Sequence, residues 1–351
     1  MNTYLSNKLY FFSFWLIVLV VFLHSLNVDI SKCDDFICDF QYFIAHKVTQ
    51  VAVPLFFAIT GYLYFLKMDS AFSKMQFFID NNKKRLKTIV IPFFIWCLFW
   101  FTFLFLLQQL PFLTALFSKP LHKMSFSDQL SSLFIAPVNY PFWFLRDLIL
   151  LLAISPIIYI SIRYLNFFAL FLYFILSVFY NTILTINGAD VFLWLPIFYF
   201  SLGAFFSIYK FDLRIHWSKL TIVILLAVWI TLNVMSIYFE SNFINKTLLK
   251  SLNLFKDLLG CVAFWSLYDL LNLKKQWNNF TFYKYSFFIF AFHGIPTLLF
   301  VKLLKQIFIN KYVLFLAFCF TPLLILLLSI LLASTINRLS PKFYSLICGS
   351  R

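Results

Sequence analysis

An all-α, polytopic integral membrane helix bundle is the fold class this sequence predicts, and three observations predict it. Hydrophobic residues fill 63% of the 351 positions and charged residues only 12%, where a soluble domain carries roughly 25% charged. The mean hydropathy is +0.90. The apolar residues fall in runs of about 20, the length that crosses a bilayer, with the charges gathered between the runs. In lipid each backbone N–H and C=O must be satisfied within its own segment, so every run is read as a helix. No stretch leaves room for a separate soluble domain, and residues 1–351 are read as one membrane domain.

About ten transmembrane helices follow from span length, over approximately 9–28, 48–66, 88–110, 141–161, 166–186, 191–209, 219–239, 252–271, 285–309 and 312–336. The first, Leu9 to Val28, is too long for a signal-peptide core and has no small-residue cleavage site after it. The third follows the basic cluster Lys83-Lys84-Arg85-Leu86-Lys87, and the fourth opens on Pro141-Phe142-Trp143-Phe144-Leu145-Arg146-Asp147. The fifth and sixth are separated by Asn187-Gly188-Ala189-Asp190, a reverse-turn sequence. The eighth carries Lys256 and Asp257 near its start, and the ninth carries Gly294 and Pro296, which thin or kink a helix. The longest outer loop, 111–140, contains Pro111, Pro120, His122 and Pro137.

Positive charge sets orientation. The loop 67–87 is the strongest vote for a cytoplasmic side, and it places both termini in the cytoplasm. Lys302, Lys305 and Lys311 vote the other way. The outer segments hold most acids, among them Asp29, Asp34, Asp35, Asp39, Asp190 and Glu240. The expected location is the inner (cytoplasmic) membrane of a bacterial cell.

The net charge of +15 does not read as a nucleic-acid surface, because the basic residues are not gathered in one patch with interleaved aromatics. Cys33 and Cys38 share the first outer loop and could form a disulfide, whereas Cys97, Cys261 and Cys319 read as small apolar fillers. No Cys/His set has metal-site spacing, so no metal is expected.

His24 stands out, deep in the first apolar run with only Ser13, Ser25 and Asn27 as local polar company. A histidine in a membrane helix is costly and marks chemistry or a polar path, and a neutral imidazole can accept a proton near neutral pH. Packing by a hydrogen bond to a neighbouring helix is the plain alternative. His293 in the ninth span carries the same two readings. Arg146 and Asp147 point about 100° apart on a helix, so each is expected to find its own partner. A guanidinium at a membrane cavity suits phosphate or carboxylate, and an interfacial anchor beside Trp143 is the alternative. The cluster around Lys84 and Arg85 suits the phosphates of a nucleotide-bearing cofactor, or else lipid headgroups. His46, His122 and His216 read as solvated loop residues. The spans hold almost no carboxylates, which counts against an ion-coupled transporter.

Five stretches, in order along the chain, resemble the acyltransferase-3 family of polytopic membrane O-acyltransferases. They are FWLIVLVVFLHS ending at Ser25, VAVPLFFAITGYLYF from Val51, KRLKTIVIPFFIW from Lys84, FWFLRDLILLLAISP from Phe142, and YSFFIFAFH ending at His293. Leu195 to Phe206, with Gly203, is similar to a sixth family stretch. The resemblance implies acyl transfer, usually of acetyl from acetyl-CoA, to a hydroxyl of a surface polysaccharide, lipopolysaccharide or lipid-linked sugar. It implies His24 as catalytic base, or as a transient acyl carrier, and Arg85 with Lys84 as holders of the CoA phosphates. Arg146, Asp147 and His293 are the expected substrate contacts. Where many members carry an Arg, eleven positions before the histidine, this chain has Ser13; the charge is then expected from Lys8, Arg85 or Arg146. A chain ending at Arg351 resembles the membrane-only members. The competing reading is a non-enzymatic transporter or flippase for polysaccharide precursors.

Overall fold

The computed structural model describes residues 3–28, 35–68, 73–110, 120–180, 182–186, 188–242, 245–271, 281–308 and 310–349. The elements are α1 (Thr3–His24), α2 (Phe36–Phe43), α3 (Ala52–Phe65), α4 (Lys74–Arg85), α5 (Ile91–Leu107), α6 (Phe126–Phe134), α7 (Trp143–Ala153), α8 (Ser155–Leu165) and α9 (Phe167–Phe179). A hairpin of β1 (Thr182–Ile186) and β2 (Ala189–Leu193) follows. Then come α10 (Trp194–Ile208), α11 (Lys219–Asn242), α12 (Lys246–Leu271), α13 (Ser286–Ile307), α14 (Lys311–Leu339) and α15 (Pro341–Cys348).

The bundle is helical and apolar enough for a multi-pass membrane protein. Among the described residues six helices are long and apolar enough to cross a bilayer, or up to seven if the bent pair α7–α8 counts as one span. Two of the six are compound. The helix over 36–65 joins α2 to α3 through a π-helical turn, Ile44–Val48, and the helix over 74–107 joins α4 to α5 through another, Leu86–Val90. Such insertions widen a helix and commonly sit at functional positions; these two fall at His46 and just after Arg85.

Four expected spans take other forms. The fourth is broken by a 63° bend between α7 and α8, where Pro156 starts the second helix and cannot donate to the first. The fifth is the short helix α9 followed by strand β1, so helix throughout is corrected to helix plus one antiparallel hairpin. The reverse turn was legible, but the strands beside it were not. Thr182, Ile183, Val191 and Phe192 are β-branched or aromatic and suit a strand as well as a span. Ile186 pairs with Ala189 across the turn, and Gly188 takes φ +75, the left-handed conformation that a two-residue hairpin turn needs. The sixth and eighth expected spans are the short α10 and the charged α12.

Small residues let helices touch. A Cβ on Gly61 of α3 would run into the Phe200 carbonyl of α10, and one on Gly203 into the Ala58 carbonyl. These two helices therefore meet backbone to backbone, as small-residue interfaces in membranes do. Trp96 and Trp100 of α5 use their indole N–H groups on Ile347 O and Ala291 O, both at 2.9 Å, so α5 fixes α15 and the middle of α13. Lys8, one of three residues from which the charge missing at position 13 was expected, is fully buried and paired with Asp269 of α12, with its ammonium 4.3 Å from the Trp265 ring. It is a tie between α1 and α12 and is not available to His24.

Candidate active site

α1 ends at His24, and the chain turns away under two anchors. Ser25 Oγ donates to Val21 O (2.7 Å) and Asn27 Nδ2 to Leu314 O (2.6 Å). That leaves the half-buried His24 ring facing α13 and the segment before α7. It lies parallel to the His293 ring, with centroids 5.4 Å apart and planes 13° apart, and the Tyr140 ring meets it edge-on at 4.5 Å. Two histidines separated by 269 positions in the chain thus form one pair.

His293 is fully buried. Its Nδ1 lies 3.1 Å from Ile289 O and 2.8 Å from Phe290 O. Both partners are carbonyls, which only accept, so Nδ1 carries the proton and Nε2 presents a bare lone pair. That Nε2 is buried without a hydrogen-bond partner among the described residues. Asn139 is fully buried beside it. Its Nδ2 donates to Ala291 O (3.1 Å), and its Oδ1 is likewise without a partner. A Cβ at position 294 would collide with that Oδ1, so Gly294 is what allows Asn139 to sit against α13. The centre therefore combines two imidazoles, a phenol and a carboxamide, with two buried polar atoms unsatisfied. Such atoms cost free energy unless a ligand or water completes them.

Arg85 lies at the opposite end of the bundle. It lines a cavity of about 330 Å³ together with Ser13, Thr60, Phe144, Ser286 and Phe290. Its Nε is buried and has no partner among the described residues. Phe290, at the far wall, lies 6.0 Å from the His293 ring. The cavity thus runs from Arg85 to the ring beside the histidine pair. Ser13 and His24 are eleven residues apart on one helix, a rise of about 16 Å. Ser13 faces the cavity that Arg85 enters, so a guanidinium is present although position 13 lacks one. Lys84, the neighbour expected to act with Arg85, is exposed and does not line the cavity.

Arg146 and Asp147 do pair, contrary to the sequence expectation. Arg146 Nε and Nη2 both donate to Asp147 Oδ1, at 2.9 and 2.8 Å. The 100° step separates the Cβ atoms, but an arginine chain is long enough to fold back across it. Arg146 Nη1 also donates to Ile135 O, and Nη2 to Asp190 O at 3.1 Å. Asp147 is fully buried, and its Oδ2 has no hydrogen-bond partner among the described residues. Phe192 nearby adopts φ +67, a left-handed residue inside a strand. Arg146 clamps the hairpin onto α7 through Asp190 O, and neither charge meets the histidine pair.

Asn139 and Tyr140 had no signal of their own in the sequence beyond preceding the Pro141-Phe142-Trp143 motif. His46, read as a solvated loop residue, is half-buried in the π-helical turn and lies within electrostatic range of His24. Cys38 is disulfide-bonded at this same end; Cys33, with which the sequence allowed a disulfide, and Pro111 lie outside the described residues. Among the described residues no three His, Cys, Asp or Glu side chains gather as a metal site.

A family described as an acyltransferase domain matches residues 14–334, nearly the whole chain. The succinoglycan biosynthesis protein ExoH of Rhizobium meliloti (strain 1021) is 28% identical over 123 residues, covering 33% of this chain and 31% of that protein. The match spans about a third of this relative's length. No solved structure matches the chain.

Proposed function

The chain belongs to the acyltransferase-3 family, and from that premise we propose that it moves an acyl group, acetyl foremost, from acyl-CoA to a sugar hydroxyl. The acceptor is a surface polysaccharide, lipopolysaccharide or lipid-linked sugar, in keeping with the polysaccharide-biosynthesis name of its relative. One observation carries this reading. A cavity with an unpaired, buried guanidinium nitrogen at one end reaches Phe290, next to the His24–His293 pair, at the other.

The residues divide the work by position. Arg85 holds the phosphates of the donor, and the exposed Lys84 beside it in the chain adds positive charge. When bound, the CoA thioester supplies the acyl group. The apolar lining of the cavity, which includes Phe144 and Phe290, excludes water from the path. His24 accepts the proton of the attacking sugar hydroxyl, which is a poor nucleophile until that proton leaves. His293 holds its ring parallel to His24 and offers Nε2 to a hydroxyl of the acceptor. Arg146 and Asp147 serve the acceptor at one remove, through the hairpin they hold in place.

The orientation follows from the same reading. The whole chain acts as a single membrane domain of about ten passes, with both termini cytoplasmic. The Arg85 end then meets the cytoplasmic pool of acyl-CoA, and the His24 end faces outward in a bacterial inner membrane. The disulfide at Cys38 supports that assignment, because disulfides persist on the oxidising side.

The test is the alkali-labile acetate on cell-surface polysaccharide in wild type, a deletion strain, and the deletion complemented with His24→Ala at matched membrane expression. Acetate lost in the deletion and not restored by the variant is the expected result. Acetate unchanged in all three, on normal polymer, overturns acetyl transfer to that polymer. Loss of the polymer itself in the deletion overturns the enzyme reading in favour of a transporter.

A further inference from the structure

The helix α12 bears a polar stripe that lipid would not tolerate. Lys250, Asn253 and Asp257 recur at steps of three and four, which places them on one face. That face lines a cleft of about 450 Å³, closed on its other side by Ser177 and Tyr180 at the end of α9 and by Asp190 of the hairpin. Ionisable and polar residues that converge on the wall of a cleft are candidates for ligand contact.

The lining selects a ligand class. It sets one ammonium, two carboxylates, a carboxamide, a hydroxyl and an exposed phenol ring among Leu193, Leu195, Leu249 and Leu254, whose apolar surface predominates. Two carboxylates repel a phosphate, and charged groups spaced along the wall interrupt the contacts of an acyl chain. A saccharide fits both properties: adjacent hydroxyls bridge carboxylate and carboxamide oxygens, and the apolar C–H face of a sugar ring packs on an aromatic side chain.

The cleft is tied to the histidine pair through the hairpin. Asp190 O accepts from Arg146 Nη2 (3.1 Å), six residues along from Tyr140, whose ring meets His24. That tie lies at the His24 end of the bundle.

We propose that the cleft between the hairpin and α12 is the acceptor subsite and holds the sugar units flanking the one acylated at His24. Its role as an acceptor subsite rests on the acyl-transfer reading above, but saccharide binding there does not. The experiment therefore has two readouts on the full chain in lipid nanodiscs. One is binding of a de-acylated oligosaccharide cut from the host's own surface polymer. The other is steady-state transfer, with acyl-CoA hydrolysis without acceptor as control.

Tyr180→Ala and Asn253→Ala are expected to raise the oligosaccharide Kd and the acceptor KM by about tenfold, the size of one lost contact, with donor KM and hydrolysis unchanged. Equal Kd for wild type and both variants, or no binding by wild type, overturns the subsite whatever the transfer activity. Binding that the variants lose, in a protein that transfers no acyl group, upholds a saccharide site and overturns the acyl-transfer reading alone. Tyr180 is exposed, so its variant keeps the test open if Asn253→Ala fails to fold.

Discussion

Arg85 and Arg146 look alike in the sequence, each a lone arginine beside an apolar span, yet their surroundings in the fold are opposite. Arg146 is saturated: a carboxylate and two carbonyls take its donors, and its side chain is 10% exposed. Arg85 reaches into a cavity with its Nε unpaired. The difference teaches that charge type does not identify a binding residue. What identifies it is unsatisfied valence facing open space, since a guanidinium already paired gains little from a new anion while an unpaired buried one gains a full charge-assisted bond.

The largest effect is expected where the two regions converge. His24→Ala should lower acyl transfer by about 10²–10⁴-fold with little change in thermal stability, because the ring is half-buried and its removal opens no core. Initial rates and an unfolding curve on the same preparation check this. A variant that still transfers at the wild-type rate makes the histidine pair a packing feature.

Arg146→Ala should act on stability first. It strands the fully buried Asp147 carboxylate, a change that costs about 3–5 kcal/mol, and the melting temperature in detergent should fall accordingly. Adding Asp147→Asn should recover part of the loss, since no buried charge then remains. An unchanged melting temperature in Arg146→Ala would erase the contrast between the arginines.

Arg85→Ala should do the reverse. Donor KM should rise by the equivalent of about 1.5–3 kcal/mol, the worth of a hydrogen bond to a charged group, with the melting temperature unchanged. Arg85→Lys should recover only part, because an ammonium lacks the planar fork. Titration of acyl-CoA against fixed acceptor separates these outcomes.

The smallest effect sharpens the comparison further. Ser13 and Arg85 line one cavity, so Ser13→Arg in the Arg85→Ala background should return donor KM to within about tenfold of wild type, the worth of one such bond. Ser13→Arg alone should change it little. No rescue would mean that the two positions do not serve the same group.

Much of the candidate site was legible in advance. His24, His293 and Arg85 are polar residues in or beside apolar runs, and such residues are visible without coordinates. The pairing of Arg146 with Asp147 was not, because helical phase describes where Cβ atoms point and not how far a long side chain reaches. Asn139, Tyr140 and His46 were missed for a different reason. Each lies at the edge of an apolar run, where polar residues are ordinary, and only long-range packing shows which of them face His24. The hairpin was half legible, as a turn at Asn187-Gly188 whose flanking residues suit a strand and a span equally.

Composition and period by themselves determined that this chain is a bundle of membrane helices, and the order of its motifs determined the family. Those properties are local: a run of about 20 apolar residues favours a helix in lipid, although the run over 166–186 ends in a strand of the hairpin. Only the tertiary structure decided which polar groups were answered by a partner and which were left facing a cavity. That distinction depends on distances between residues hundreds of positions apart. It separates the arginine that holds the fold from the one that opens onto the path to His24.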